Sequence, residues 1–294
     1  MASFMTAYCM RSITVDELEG FRDAMLELCL PVDLETEGLI DLCGTGGDGK
    51  DTFNISTLAS FIVAGAGYKV AKHGNYGVSS GCGSSNVMEH LGYCFTSDTD
   101  QLKRNIDKAN ICFLHAPLFH PAMKTVAPIR RELGVKTFFN MLGPLVNPAK
   151  PVNQLVGVYN LELARVYAYL YQKSTTNYTI VNALDGYDEV SLTCDFKTFS
   201  AEGEKINTVE GLGFKKLHPL QITGGNTVPE SAAIFTNVLN GDSSFAQSNV
   251  VLSNAALAIR TITPEKSFSD CYYEAEEALQ SKRALNSFNL LLQS

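Results

Sequence analysis

The sequence is short of positive charge, of long apolar runs and of paired cysteines, and each shortage closes off a class of function. With 23 Lys+Arg against 31 Asp+Glu and a formal net charge of −8, the 294-residue chain lacks the broad basic face that nucleic-acid binding demands. No apolar run approaches membrane-spanning length, and Met1-Ala2-Ser3-Phe4-Met5 lacks the basic region and apolar stretch of a signal peptide. A cytoplasmic protein with no nucleic-acid and no membrane partner is expected. The eight cysteines include no C-x-x-C pair, and most lie inside apolar segments. They read as buried thiols rather than a disulfide framework or a zinc site, with Cys82, inside a Gly/Ser loop, as the exception. No Ser-His-Asp or Cys-His arrangement is readable, which argues against covalent nucleophilic catalysis. No internal repeat, low-complexity tract or heptad pattern is present.

What the chain does have is two glycine-rich segments. One is Gly44-Thr45-Gly46-Gly47-Asp48, closed by Asn54-Ile55-Ser56-Thr57. The other is Lys72-His73-Gly74-Asn75, followed by Ser79-Ser80 and Gly83-Ser84. Each stands between an apolar run that reads as a strand and one that reads as a helix, the place where parallel α/β proteins bind phosphorylated ligands. Glycines let consecutive N–H groups approach one anion, and the adjoining helix N-terminus adds partial positive charge. Thr45, Ser56, Thr57, Ser79, Ser80 and Ser84 offer hydroxyls, and Lys72 offers a full charge. A ligand carrying several phosphates is the inference.

Strand, glycine loop and helix occur twice in succession, predicting βαβ units and an α/β fold: a central, mostly parallel sheet flanked by helices. The expected elements of the first unit are a strand over 39–43 and a helix over 58–66. Those of the second are a strand over 68–71, a loop over 72–84 and a helix over 85–91. Ahead of them the first thirty-odd residues read as helical, with capping-box spacing at Thr14-Val15-Asp16-Glu17. Beyond them come a strand at 111–114, a basic helix from His120 to Leu133, an irregular crossing at 140–151, a helix over 161–172 and a strand over 178–184. The tail alternates Thr/Ser-rich strands with helices near 229–239, 248–260 and 267–292.

Three features could carry chemistry. Asp188-Glu189, at a strand end, can share an oxygen-loving cation such as Mg²⁺, the usual partner of a polyphosphate. A solvated turn with two acids is the plainer reading, and the two phosphate loops tip the balance toward the metal. Arg130 can pair bidentately with a substrate carboxylate, against the default of an exposed helical arginine. His73 is either a proton-transfer group or a hydrogen-bonding group that positions a ligand.

In order along the chain, Gly44–Asp48, Asn54–Thr57, Lys72–Asn75, Gly83-Ser84, His120–Lys124 through Arg130–Gly134, Asn140–Pro148 with its Leu-Gly-Pro-Leu core, and Asp185–Glu189 resemble the anthranilate phosphoribosyltransferase family. Gly224-Gly225-Asn226 and the long helical tail are also similar to that family, and the likeness runs from about residue 3 to the C-terminus. The resemblance implies transfer of phosphoribosyl from phosphoribosyl pyrophosphate to the amino group of anthranilate, with release of pyrophosphate, in tryptophan biosynthesis. By matching motif it implies that Gly44, Gly47, Asp48, Thr52, Asn54, Ser56, Thr57, Lys72 and Ser84, with Ser79 and Ser80, bind the donor. Gly44, Asn75 and Arg130 would meet anthranilate; His73, Asn75 and Arg130 would be the catalytic group; Ser56, Asp188 and Glu189 would hold Mg²⁺. It further implies a homodimer and two domains. A small helical one, residues 1–34, would be joined in space by helices from about 118–140, and an α/β one would span 35–294. A nucleoside phosphorylase, a transferase for another aromatic acceptor and a non-catalytic nucleic-acid-binding relative are the alternatives.

The chain departs from the family pattern at several points. Tyr76 stands where arginine is common, Gly81 for lysine, Cys82 for serine and Asn86 for aspartate. Asn182-Ala183 replaces the usual His-Gly. The match begins partway into the helical domain, so an incomplete small domain, with an apolar surface exposed around Phe4, Met5 and Leu18, is expected.

Overall fold

A computed structural model describes residues 1–77 and 82–294, and all of their side chains but that of Arg131. The chain opens with helices α1 (Ala2–Cys9) and α2 (Val15–Glu27). α2 begins at the predicted capping box: Thr14 Oγ1 accepts the Glu17 N–H at 3.2 Å, and the Glu17 carboxylate accepts the Thr14 N–H at 3.0 Å. The α/β units follow as β1 (Ile40–Gly44), α3 (Ile55–Gly65), β2 (Val70–Gly74), α4 (Ser84–His90), α5 (Thr99–Ala109) and β3 (Ile111–His115). Next come α6 (Ala116–Phe119) and α7 (Met123–Leu133), then an irregular crossing with two short 3₁₀ turns, then β4 (Asn153–Gly157), α8 (Leu161–Gln172) and β5 (Asn177–Ala183). A hairpin of β6 (Phe196–Ser200) and β7 (Gly203–Asn207) precedes α9 (Val228–Leu239), α10 (Phe245–Ile262), α11 (Phe268–Gln280) and α12 (Arg283–Leu292).

The seven strands form one sheet in the order β3-β2-β1-β4-β5-β6-β7. The first five run parallel and the β6–β7 hairpin adds an antiparallel edge, so the expected mostly parallel sheet is what forms. Strands β1 to β5 are largely buried on both faces, whereas the edge strand β7 is exposed. α3, α10, α11 and α12 supply one apolar cluster around Leu58, Phe61, Val250 and Leu291. A second cluster joins α1, α2, α7, α8 and the crossing through Leu18, Val126, Phe138 and Tyr167. Every βα turn on the first three strands therefore emerges at one end of the sheet, where ligands bind in parallel α/β proteins.

Four expectations need correction. Met5 and Leu18 are fully buried, not exposed, because Val126, Phe138 and Leu142 cover them; Phe4 alone is half exposed, its ring edge-on to Tyr8, Phe21 and Phe138. Lys72 and His73 lie on β2 rather than in the loop, since pairing with β3 carries the strand on to Gly74. The last helix is two: Lys282 takes a left-handed conformation at φ 64° and turns α12 away from α11. Of the cysteines, Cys29, Cys112 and Cys271 are buried, but Cys9 and Cys94 are exposed and Cys43, Cys82 and Cys194 half-buried; all eight are free thiols.

Candidate active site

A cleft of about 290 Å³ opens over the ends of β1, β2 and β3. Gly44, Gly47, Asp48, Thr52, Asn54, Ser56, Thr57, Lys72, His73, Asn75, Ser84, Arg130, Asp188 and Glu189 all line it, so one cavity collects every singled-out residue that the structure describes. Ser79 and Ser80 lie outside the described residues, as does Gly81.

One end of the cleft is acidic. Asp188 Oδ2 accepts the Gly46 N–H at 2.7 Å, and Glu189 Oε1 accepts the Ser56 N–H at 3.0 Å. Beyond the end of β5, Asp188 thus holds the first glycine turn by its backbone and Glu189 holds the start of α3. Gly46 and Gly47 have φ of 64° and 75°, the left-handed region that glycine enters without strain. Gly44 and Gly157 are glycine for a different reason. A Cβ on Gly44 would overlap Asp188 Oδ2, and one on Gly157 would overlap the Asp188 carbonyl oxygen. Gly157 was not among the sequence candidates; a glycine closing the strand beside β1 was the available signal.

Burial, and then the neighbouring Asp48 charge, pushes the Asp188 carboxyl up to about 7. Burial also raises Glu189 well above the usual range and raises Asp48. Among the described residues no basic side chain forms an ion pair with any of the three. Nor is there, among the described residues, a group of three or more His, Cys, Asp or Glu side chains arranged around one point; any cation here would rest on fewer carboxylates.

The other end is built from β2 and the crossing. The His73 ring meets the Gly143 carbonyl through Nδ1 at 3.0 Å. A carbonyl only accepts, so Nδ1 carries the proton and Nε2 keeps its lone pair. Burial pushes the ring down to about 4 against the opposing Gly143 bond, which keeps it neutral at pH 7. Arg130 Nη2 donates to Asn140 Oδ1 at 3.3 Å, and its guanidinium lies 5.4 Å from the centre of the Phe139 ring. Phe139, Asn140 and Gly143 line the cleft yet belong to a segment without periodicity; Asn140 and Gly143 fall in a stretch that carries the family resemblance, but none of the three is among the candidate site residues. Lys136, from the same segment but outside the cleft lining, donates through Nζ to the Gly47 carbonyl and ties the crossing to the first turn.

Three departures from the family pattern, Asn86, Tyr76 and Asn182, have local explanations. Asn86 Oδ1 accepts the Gly77 and Gly83 N–H groups, each at 3.0 Å, a role that needs an acceptor but not a charge. Tyr76 packs edge-on to His115 at 4.8 Å and donates to Glu89 at 3.3 Å. Asn182 is buried on β5 and donates to the Val158 carbonyl at 2.8 Å, which leaves the strand in register up to Ala183.

Three buried polar atoms of the lining, Thr45 Oγ1, Thr57 Oγ1 and His73 Nε2, have no partner among the described residues. Buried polar groups are normally satisfied, so a cluster of orphans around one cleft points to a polar ligand. Fold and cleft together define a class: a mostly parallel α/β protein with a cleft between glycine turns suited to a polyanion, with carboxylates at one end and an arginine at the other.

The comparisons with known proteins narrow it. Residues 36–285 match the family described as glycosyl transferase family, a/b domain. The chain is 60% identical over 294 residues to the anthranilate phosphoribosyltransferase of Christiangramia forsetii, covering 99% of this chain and 88% of that protein. It is 56% identical over 285 residues to that of Bacteroides thetaiotaomicron, covering 97% and 86%. Among solved structures, the Thermus thermophilus anthranilate phosphoribosyltransferase superimposes with a TM-score of 0.92 at 32% identity, covering 100% of this chain and 89% of that one. The Saccharomyces cerevisiae enzyme, in complex with PRPP and Mg, gives 0.92 at 28%, covering 99% and 84%. The chain belongs to the anthranilate phosphoribosyltransferase family.

Proposed function

We propose that this chain transfers the phosphoribosyl group of phosphoribosyl pyrophosphate to the amino group of anthranilate, releasing pyrophosphate, as a step of tryptophan biosynthesis. The donor lies along the first glycine turn and the start of α3, held by backbone N–H groups, by Asn54, Ser56, Thr57 and Ser84, and by the Lys72 charge. Anthranilate lies against Asn75 and Arg130, with Arg130 gripping its carboxylate. The observation that carries this reading is the single cleft with unpaired acids at one end, an arginine at the other and orphaned polar atoms between them.

Asp188 and Glu189, with Ser56, suit a hard cation: all the ligating atoms are oxygen, and two acids raised by burial without a basic partner are stabilised by positive charge. Mg²⁺ bound there supplies charge that stabilises the departing pyrophosphate. The chain's own residues do the rest. Lys72 and the turn amides take up negative charge on the leaving group, while Asn75 and Arg130 set the amine against ribose C1. His73 is neutral and positions the acceptor; the amine loses its proton after it has attacked, so no strong base is needed.

We further read the protein as cytoplasmic and homodimeric. No helix among the described residues is long and apolar enough to cross a membrane. Exposed Phe4, Met10, Leu28 and Leu30 near the N-terminal helices support a partner copy, which sedimentation would reveal.

The test is direct because the chain has no tryptophan to compete with anthranilate emission. Protein mixed with donor, anthranilate and Mg²⁺ is expected to extinguish anthranilate fluorescence, and the Asp188→Ala/Glu189→Ala protein is not. Loss that continues without donor or without Mg²⁺ would remove the reading.

A further inference from the structure

Strands β1 and β2 carry the two glycine turns, yet they scarcely pair. Their ladder couples only Ile40 with Val70, whereas β1–β4 and β2–β3 each couple five residue pairs. Beyond Val70, side chains stand in for main chain. Asp41 Oδ1 accepts the His73 N–H at 3.1 Å. Asn147, from the crossing, donates through Nδ2 to Asp41 Oδ2 at 3.0 Å and to the Ala71 carbonyl at 2.8 Å. Asn147 Oδ1 accepts the Ala149 N–H at 3.0 Å, which fixes the amide's orientation. Both side chains are buried, Asp41 completely. Burial raises the Asp41 carboxyl, and the Lys72 charge on β2 is the first of the influences that draw it back.

A buried carboxylate is costly unless its oxygens are occupied, so its presence between two strands whose ladder stops at Val70 calls for a role. We infer that Asp41 and Asn147 are positioning residues of the transfer reaction: they replace the missing β1–β2 ladder and set His73 and Asn75 at the height where the acceptor meets the donor turn. This rests on the reading that His73 and Asn75 face the acceptor. His73 is thereby held twice from outside its own strand, its N–H by Asp41 and its ring by Gly143, while Asn147 ties the crossing to both β1 and β2. The Cys43 thiol also donates to Asp41 Oδ2, at 3.7 Å, and the two N–H donors, from His73 and Asn147, need two acceptor atoms. An asparagine at 41 has one, and it turns an NH₂ toward the other donor.

Asn147→Ser, which leaves the Asp41 and Lys72 charges in place, is expected to lower kcat/KM for anthranilate about tenfold or more while the donor KM stays within about twofold. Asp41→Asn is expected to lower it at least as far, and the double variant by less than the product of the single losses, because both changes break one linkage. Amide exchange in the peptide spanning residues 70–77 is expected to quicken in each variant at unchanged global stability. A role in stability alone would lower the unfolding midpoint and leave the constants per folded molecule alone. Wild-type activity with unchanged constants, unchanged exchange or strictly multiplicative losses in the variants would overturn the inference by itself. A wild-type protein inactive toward anthranilate would instead overturn the acceptor reading, and this inference with it.

Discussion

The turn after β1 and the turn after β2 meet the same cleft, but they are held from different places. The first receives its support from a distant part of the chain: Asp188 and Glu189 take the N–H groups of Gly46 and Ser56. The second is closed chiefly by its own residues, with Asn86 taking the N–H groups of Gly77 and Gly83, Asn75 O accepting from Ser85 N–H at 3.1 Å, and one bond from outside, Asn54 Nδ2 to the Cys82 carbonyl at 3.4 Å. The first turn and the acids proposed to hold the cation are therefore one mechanical unit, so a change in either alters both. The second turn is a local motif on an independently fixed strand. Its shape tolerates substitution wherever hydrogen-bonding capacity is kept, which accounts for asparagine at 86.

Breaking the first turn should cost most. Asp188→Ala/Glu189→Ala is expected to reduce kcat/KM by about 1000-fold or more, since it removes charge stabilisation of the leaving group together with two anchors of the turn. Steady-state turnover measures this. Arg130→Ala follows, with a loss of about 100-fold in kcat/KM for anthranilate and little change in donor KM; Arg130→Lys should recover only part of it, as an ammonium cannot grip a carboxylate with two parallel bonds. Gly44→Ala forces a methyl into the space of Asp188 Oδ2 and should destabilise the fold by about 1–3 kcal/mol in chemical denaturation, with loss of activity.

The His73 ring adds a pH-dependent effect. Its pKa of about 4 in the fold lies below the ordinary 6.5, so between those values the unfolded chain binds more protons. Its contribution to stability is complete above pH 6.5 and is lost as pH falls toward 4. His73→Asn should flatten that decline by up to about 1.4 kcal/mol per pH unit, read from denaturation midpoints across pH 7 to 4.5. The raised Asp188 works in the opposite direction below pH 7 in both proteins and cancels in the comparison. The smallest effect belongs to the second turn. Asn86→Asp should change kcat/KM by less than about threefold, whereas Asn86→Ala, which leaves two N–H groups without their acceptor, should cost about 1–3 kcal/mol locally. Equal effects of the two substitutions would contradict the account of local closure.

Much of this was legible before the fold was in view, because glycine turns, capping boxes and paired acids have short-range signatures. The two glycine segments and Asp188-Glu189 mark the cleft by composition alone. What escaped depends on contacts between distant segments. The burial of Met5 and Leu18 is decided by Phe138 and Leu142, more than a hundred residues away. Lys72 and His73 join the strand because β3 offers them partners, something β2's own residues do not announce. Phe139, Asn140 and Gly143 lie in a segment with neither helical nor strand period, so only folding shows that they line the cleft. Gly157 reads as an ordinary strand end until the Asp188 carbonyl is seen against it.

The claim at the centre of this account is group transfer, and phosphorus NMR of the protein with donor and Mg²⁺, recorded with and without anthranilate, tests it most directly. The account predicts that pyrophosphate and a new ribose phosphomonoester appear together, in equal amounts, only when anthranilate is present. Pyrophosphate released at the same rate without anthranilate, or no release in a folded protein supplied with all three, would contradict it.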